Sequence, residues 1–320
     1  MKAIRCSFAL AAAACAAGAL AQSAWPSQPV KLVVPFPAGG GTDVLARAIV
    51  DKLGQRLGQP VVVDNRAGAS GNIGADFVAK STDGHTLLLA ATMVATYKLT
   101  YNRLPFDALT DLVGAGTVAE TPNVLVVHPS SPIRNLQQLQ AAARARPGGL
   151  NYGTAGLGSP QHLGTEQLAK LGNFKLQHVA YKGTAPAVID VMGNQIDIAS
   201  ISLTAVLPQI ESRKVHPVAV LSAKRSSLAP DIPTAGESGI AGMDSSVRFL
   251  IMVPARQPAA TVQKLNAELN QVLQDPGVKQ AFAKAGYDPY PSTPEQATAM
   301  VKTEFEVLGP VIQSLNLEKQ

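Results

Sequence analysis

Apolar positions along this chain switch repeatedly between two spacings. Val30–Phe36, apolar but for Lys31, is a run of the kind a buried strand shows. Three glycines follow, and Thr42–Leu57 then carries Val44, Leu45, Ala48, Ile49 and Leu53 at helical spacing, closed by Gly58. The same order recurs: a strand at Val61–Val63, glycines at Gly68 and Gly71, a helix over Asn72–Lys80, and a strand over Thr86–Ala91. Val124–Val127 opens a second series. It predicts helices near Asn135–Arg146, Ser159–Leu171, Ala185–Met192 and Thr204–Ser212. Strands alternate with them near Leu150–Thr154, Leu176–Tyr181, Ile196–Ala199 and Pro217–Leu221. Val247–Val253 is strand-like again. Helices follow near Ala259–Leu273 and Pro276–Ala285, and a last helical stretch over Glu295–Leu315 is broken by Gly309-Pro310.

Strands alternating with helices predict an α/β fold with mainly parallel sheets. Two such series, with a return near residue 247, predict two lobes: 22–123 plus 247–320, and 124–246. A cleft that hinges on two crossovers separates them.

The N-terminus reads as a leader rather than as fold. Lys2 and Arg5 precede an alanine-rich apolar stretch, and Ala19-Leu20-Ala21 offers a cleavage site before Gln22, with Ala24 as a second possible cut. The apolar stretch, Phe8–Leu20, falls short of the ~20 residues a membrane-spanning helix needs. Residues 1–21 are therefore expected to direct export to the periplasm and be removed. Cys15 could be lipidated only at a poor site, because Ala12 stands where leucine is usual. Cys6 and Cys15 are the only cysteines, so the exported chain has no disulfide, thiolate nucleophile or cysteine metal ligand. The net charge of +5 comes from scattered residues, without the basic stripe that nucleic acid requires.

Two turns carry the candidate chemistry. Pro35-Phe36-Pro37-Ala38-Gly39-Gly40-Gly41-Thr42-Asp43 and Tyr152-Gly153-Thr154-Ala155-Gly156-Leu157-Gly158-Ser159 each leave a strand and open a helix. A helix start offers unpaired N–H groups and a positive dipole end, and glycine lets an anion reach the backbone. Phe36, Ala38, Gly39, Gly40, Thr42 and Asp43 from the first turn are expected at a ligand site, as are Thr154, Gly158, Ser159 and His162 from the second. Asn65 and Asn72, on a third strand–helix turn, join them. Each has a plainer reading: Asp43 could serve only the helix dipole, His162 an internal contact, and the asparagines a turn and a cap. No nucleotide P-loop, dinucleotide fingerprint, Gly-x-Ser-x-Gly elbow or His-x-x-x-His pair occurs, so no cofactor, metal or catalytic role is expected.

Taken together these segments resemble the receptor family of tripartite tricarboxylate transporters, the Bordetella uptake gene family. The resemblance rests on residues 35–43, 58–66, 71–75, 83–88, 152–162, 178–187 and 230–234, in order along nearly the whole exported chain. It implies a type II-like periplasmic binding-protein fold that captures a small carboxylate in the cleft, on the two turns named above, for a large and a small integral-membrane subunit. A freely diffusing carrier is expected to be a monomer. A receptor reporting its ligand to a signalling partner, or a secreted enzyme acting on a small acid, are the alternatives. The chain departs from the family pattern at Asp64, Ala67, His85 and Ser200, and at Arg248, where tryptophan is frequent. Arg248 could pair with a second ligand carboxylate or face solvent.

Overall fold

The structure is a computed structural model that describes residues 25–315 and 319. The expected leader, its cleavage site and Cys15 lie outside the described residues.

Among the described residues ten strands are joined, eight along one continuous path and two beside it, and a single long strand serves two sheets. Strands β1 (Val30–Val34), β2 (Val61–Asn65) and β3 (Thr86–Ala91) pair in parallel with β1 in the middle. Strand β9 (Ser246–Pro254) joins β3 antiparallel, and β4 (Leu112–Val127) joins β9 antiparallel. The N-terminal part of β4 completes this first sheet, with the two-residue β10 (Asp288–Pro289) on its other edge. The end of β4, Asn123–Val127, pairs instead with β7 (Ile198–Ser202) and β8 (His216–Val220). Strand β5 (Leu150–Thr154) lies parallel between β7 and β6 (Leu176–Ala180) and completes the second sheet.

Helices cover both faces of each sheet, as doubly buried strands require. On the first sheet, α1 (Gly41–Leu57), α8 (Ala259–Val272) and α9 (Pro276–Ala285) bring Leu45, Leu53, Leu269 and Phe282 to one face. There α2 (Asn72–Lys80) and α10 (Pro294–Ser314) bring Val78 and Val301 to the other. On the second sheet, α4 (Leu136–Ala145) and α5 (Pro160–Leu171) face α6 (Thr184–Met192) and α7 (Leu203–Glu211) across the strands. A four-residue helix, α3 (Tyr97–Thr100), follows a 3-10 turn at Thr92–Thr96.

The α/β architecture is as the sequence predicts, but both sheets are mixed. The βα repeats give the parallel pairs. Every pair made by β4, and β9 on β3, is antiparallel, because these two strands cross between the sheets instead of following a helix back. The last helix also differs from expectation, running unbroken through Gly309-Pro310. Proline removes the hydrogen bond to the carbonyl of Glu306, which is exposed and open to water. Leu308, Val311 and Ile312 pack around the same turn and hold it helical.

Helix α10 lies very close to β4. A Cβ added at Gly114 would sit 2.7 Å from the Ala297 side chain and 2.8 Å from the helix backbone. Gly114→Ala is therefore expected to destabilise by about 1–3 kcal/mol through overpacking. Urea unfolding of the variant against the parent measures this.

Candidate ligand-binding site

The first turn is held by a buried carboxylate. Gly39 turns the chain at φ +82°, in the left-handed region that glycine occupies without strain. Asp43, 2% exposed, accepts from the Gly39 N–H at 2.9 Å, Arg47 Nε at 2.8 Å and Asn65 Nδ2 at 3.0 Å. Asn65 also donates to the Phe36 carbonyl at 3.1 Å, tying the end of β2 to the loop. The hydrogen bond from Arg47 and those from Gly39 and Asn65 outweigh burial and hold the Asp43 carboxyl down at about 2. The carboxylate is thus spent on the turn. Gly40 gives helix α1 no side-chain cap, and the first-turn amides of Gly41, Thr42 and Asp43 have no intrahelical acceptor.

The second turn is held by a histidine. Ser159 caps α5 by accepting from the His162 N–H at 3.2 Å, and Gly158 N–H donates to His162 Nδ1 at 3.0 Å. That bond leaves the ring proton on Nε2 and the imidazole neutral. His162 is 1% exposed and stacks on His178 with ring centroids 3.8 Å apart. Burial, and then the neighbouring His178, pull His162 down to about 4. The Thr154 hydroxyl accepts from the Gly156 N–H at 3.2 Å and lies 2.7 Å from His178 Nε2, so it too serves the turn. Among the described residues, the amides of Ala155 and Leu157 find no acceptor.

The two turns face one cavity of about 580 Å³. Phe36 and Thr42 reach it from one side, and Ala155–Ser159 from the other. Eight of the twelve residues expected at a ligand site divide into two sets. Phe36, Thr42, Gly158 and Ser159 form the wall. Asp43, Asn65, Thr154 and His162 stand behind it and brace it. Ala38 and Gly39 are exposed and Gly40 half-buried, outside the wall. Asn72 is 5% exposed, and both its amide atoms are buried without a partner. It adjoins Gly71, where an added Cβ would lie 3.4 Å from Tyr97 Oη and 3.5 Å from the Phe36 ring.

The rest of the wall was not read from the sequence. Tyr97 and Tyr101 line it from α3 and the residue after it, and Phe249 lines it from β9. The Tyr97 hydroxyl donates to the Ser70 carbonyl at 2.8 Å, whereas the Tyr101 hydroxyl is buried and unpaired. Two tyrosines four residues apart, in a chain with six, were the available signal.

Arg248 neither lines the cavity between the two turns nor lies open to solvent. Phe249 faces the cavity, and strand alternation turns its neighbour to the opposite face of β9. Arg248 is 13% exposed there, hydrogen-bonded to Asp244, with Nε 3.2 Å from Glu120 Oε2, an ion pair without hydrogen-bond alignment. It borders a second cavity, of about 740 Å³, with Glu304 and Tyr290. Burial pushes the Glu304 carboxyl up to about 7 against the pull of Arg248.

Comparison with known proteins identifies the family. The profile of the tripartite tricarboxylate transporter family receptor matches residues 45–317. Protein BugT of Bordetella pertussis is 37% identical over 90% of this chain and 90% of its own length. A TctC solute-binding protein from Polaromonas is 26% identical and superposes with a TM-score of 0.84 over 91% of this chain and 99% of its own. Rhodopseudomonas palustris Rpa4515, solved with adipate, is 32% identical with a TM-score of 0.73 over 92% and 100%. MatC of the same organism, solved with malate, is 26% identical with a TM-score of 0.66 over 90% and 100%. The fold is that of the two-lobed periplasmic solute-binding proteins. The chain belongs to the tripartite tricarboxylate transporter receptor family, whose members are receptors and not enzymes. Among the described residues no helix is long and apolar enough to cross a membrane.

Two outcomes follow from the braces. Asp43→Ala leaves the donors of Gly39 and Asn65 without their acceptor and is expected to cost about 1–2 kcal/mol in chemical unfolding. Arg47→Ala, at a side chain 57% exposed, is expected to cost clearly less. For His162 the folded pKa lies below the unfolded one, so its neutral form supports the fold fully above pH 6.5. That support is lost as pH falls from 6.5 towards 4. Glu304, raised in the fold, works in the opposite direction between 4.5 and about 7. The histidine effect is therefore read as a difference. His162→Asn keeps an acceptor for Gly158 and is expected to flatten the loss of melting temperature between pH 6.5 and 4 relative to the parent.

Proposed function

We propose that this protein captures a small carboxylate-bearing solute between its two glycine turns and delivers it to the membrane subunits of a tripartite tricarboxylate-type transporter. The observation that carries this reading is one cavity bounded by two helix starts, α1 and α5, from different sheets. The orphan amides of Gly41 and Thr42 at the start of α1, and of Ala155 and Leu157 in the turn that leads into α5, present donors to an anion, and both helix starts add a positive dipole end. Thr42 and Ser159 add hydroxyls on either side. Adipate and malate in the two Rhodopseudomonas proteins support a carboxylate as the solute.

In this reading residues 22–123 with 247–320 form one lobe and 124–246 the other, and β4 and β9 are the strands about which they move. An acid bound to one turn lacks half its donors until the other turn arrives. The ligand thereby favours the closed form by its differential contacts, and the membrane subunits recognise that form. Residues 1–21 carry the chain to the periplasm, where it acts as a monomer.

Thermal-shift screening of purified protein against mono-, di- and tricarboxylates is expected to find at least one acid that raises the melting temperature in a concentration-dependent way. With that acid saturating, small-angle scattering is expected to show compaction. Thr42→Val and Ser159→Ala are each expected to weaken binding by about tenfold. Absence of any stabilising carboxylate, or unchanged affinity in both variants, contradicts the reading.

A further inference from the structure

The cavity on the other face of β9 has no part in carboxylate capture. At about 740 Å³ it lies in the size range of small-molecule sites. Elements far apart in sequence bring polar groups to it: Gln167 from α5, Ser246 from the start of β9 and Glu304 from α10. Each carries an oxygen to which no described residue donates. Ser246 is 3% exposed, and its Oγ is buried without a partner. Gln167 Oε1 is likewise buried and unpaired. The Glu304 carboxyl is half-buried and receives no hydrogen bond. Buried acceptors left in this way cost stability until a donor reaches them.

Charge points the same way. The guanidinium beside these oxygens, that of Arg248, already faces two carboxylates, Asp244 and Glu120. Lys224 also borders the cavity but is exposed, where water screens it. With Glu304 ionised, three carboxylates surround one enclosed cation, and the cavity is short of positive charge. A primary ammonium brings one positive charge and three N–H donors, which matches acceptors on three side chains. Met300 and Val307 of α10 add hydrocarbon wall for a short chain behind it.

We propose that this second cavity binds a small aliphatic amine, whose ammonium group stands among Glu304, Gln167 Oε1 and Ser246 Oγ. An anion would meet carboxylates there. A quaternary ammonium has the charge but no N–H to give the acceptors.

The test is isothermal titration of the purified protein with n-butylamine and putrescine, and with tetramethylammonium as a cation without donors. At pH 8 at least one amine is expected to bind saturably, about tenfold or more tighter than tetramethylammonium. The sign with pH follows from Glu304. Burial raises its carboxyl to about 7, Asp244 adds to that rise and Arg248 opposes it, and no histidine is among the residues lining the cavity. The amines stay protonated from pH 6 to 8 while Glu304 ionises, so binding is expected to tighten about tenfold over that range. Glu304→Gln is expected to weaken amine binding about tenfold at pH 8 and to flatten the pH dependence. Gln167→Leu, on the other side of the cavity, is expected to weaken it about fivefold, and decides the matter if Glu304→Gln does not fold. Neither residue lines the cavity between the glycine turns, so these losses place the amine in the second one. Absence of amine binding at pH 8, equal binding of tetramethylammonium, or unchanged affinity in variants that melt with the parent overturns the proposal.

Discussion

One strand holds the molecule's geometry together. Along β4, backbone hydrogen bonding to β9 gives way at Asn123 to bonding with β7 and β8, so a single extended segment belongs to both sheets. Backbone pairing is obligatory for buried strands, and it leaves the two sheets little freedom in how they abut. Strands β1 and β5, which end in the two glycine turns, are placed by their neighbours in these sheets. The common cavity is a consequence of that placement. It depends on no interaction between the turns themselves.

The site separates holding from touching. Asp43 and His162 are the ionisable groups closest in sequence to the two turns, and both are turned inward. One is kept charged by three donors, the other neutral by burial, and in each case the result is a loop of fixed shape. What reaches the cavity is backbone, hydroxyl and hydrocarbon. A binding surface made this way carries no net charge of its own, so closing it around an ion strands no opposite partner when the ion leaves.

Much of this could be read from the order of residues, for identifiable reasons. The βα repeats have strong local signals, and helices such as Asn72–Lys80 and Pro276–Ala285 follow the predicted bounds because glycine, serine or proline marks their ends. The first half of β4 was not predicted. Leu112–Asn123 contains Gly114, Gly116 and Pro122, residues that weaken a strand considered alone, and it is held by β9 and by helices distant in sequence. The two turns could be read because helix starts and glycines are local features. The aromatic wall could not, since Phe36, Tyr101 and Phe249 meet only in three dimensions. The division between lining and bracing residues was equally hidden: Asp43 and Thr42 are adjacent in sequence and play opposite parts.

The last helix spans more of the molecule than its place in the chain suggests. Through Gly114 it lies tight against β4, and through Ile312 it forms part of the cavity wall. Leu308, Val311 and Ile312 also meet Leu163 of α5, which belongs to the other sheet. Under the proposed closure, the end of this helix would act as a latch between the two lobes. In that reading, a reporter group on the exposed face of this last turn would sense how far the lobes have moved together.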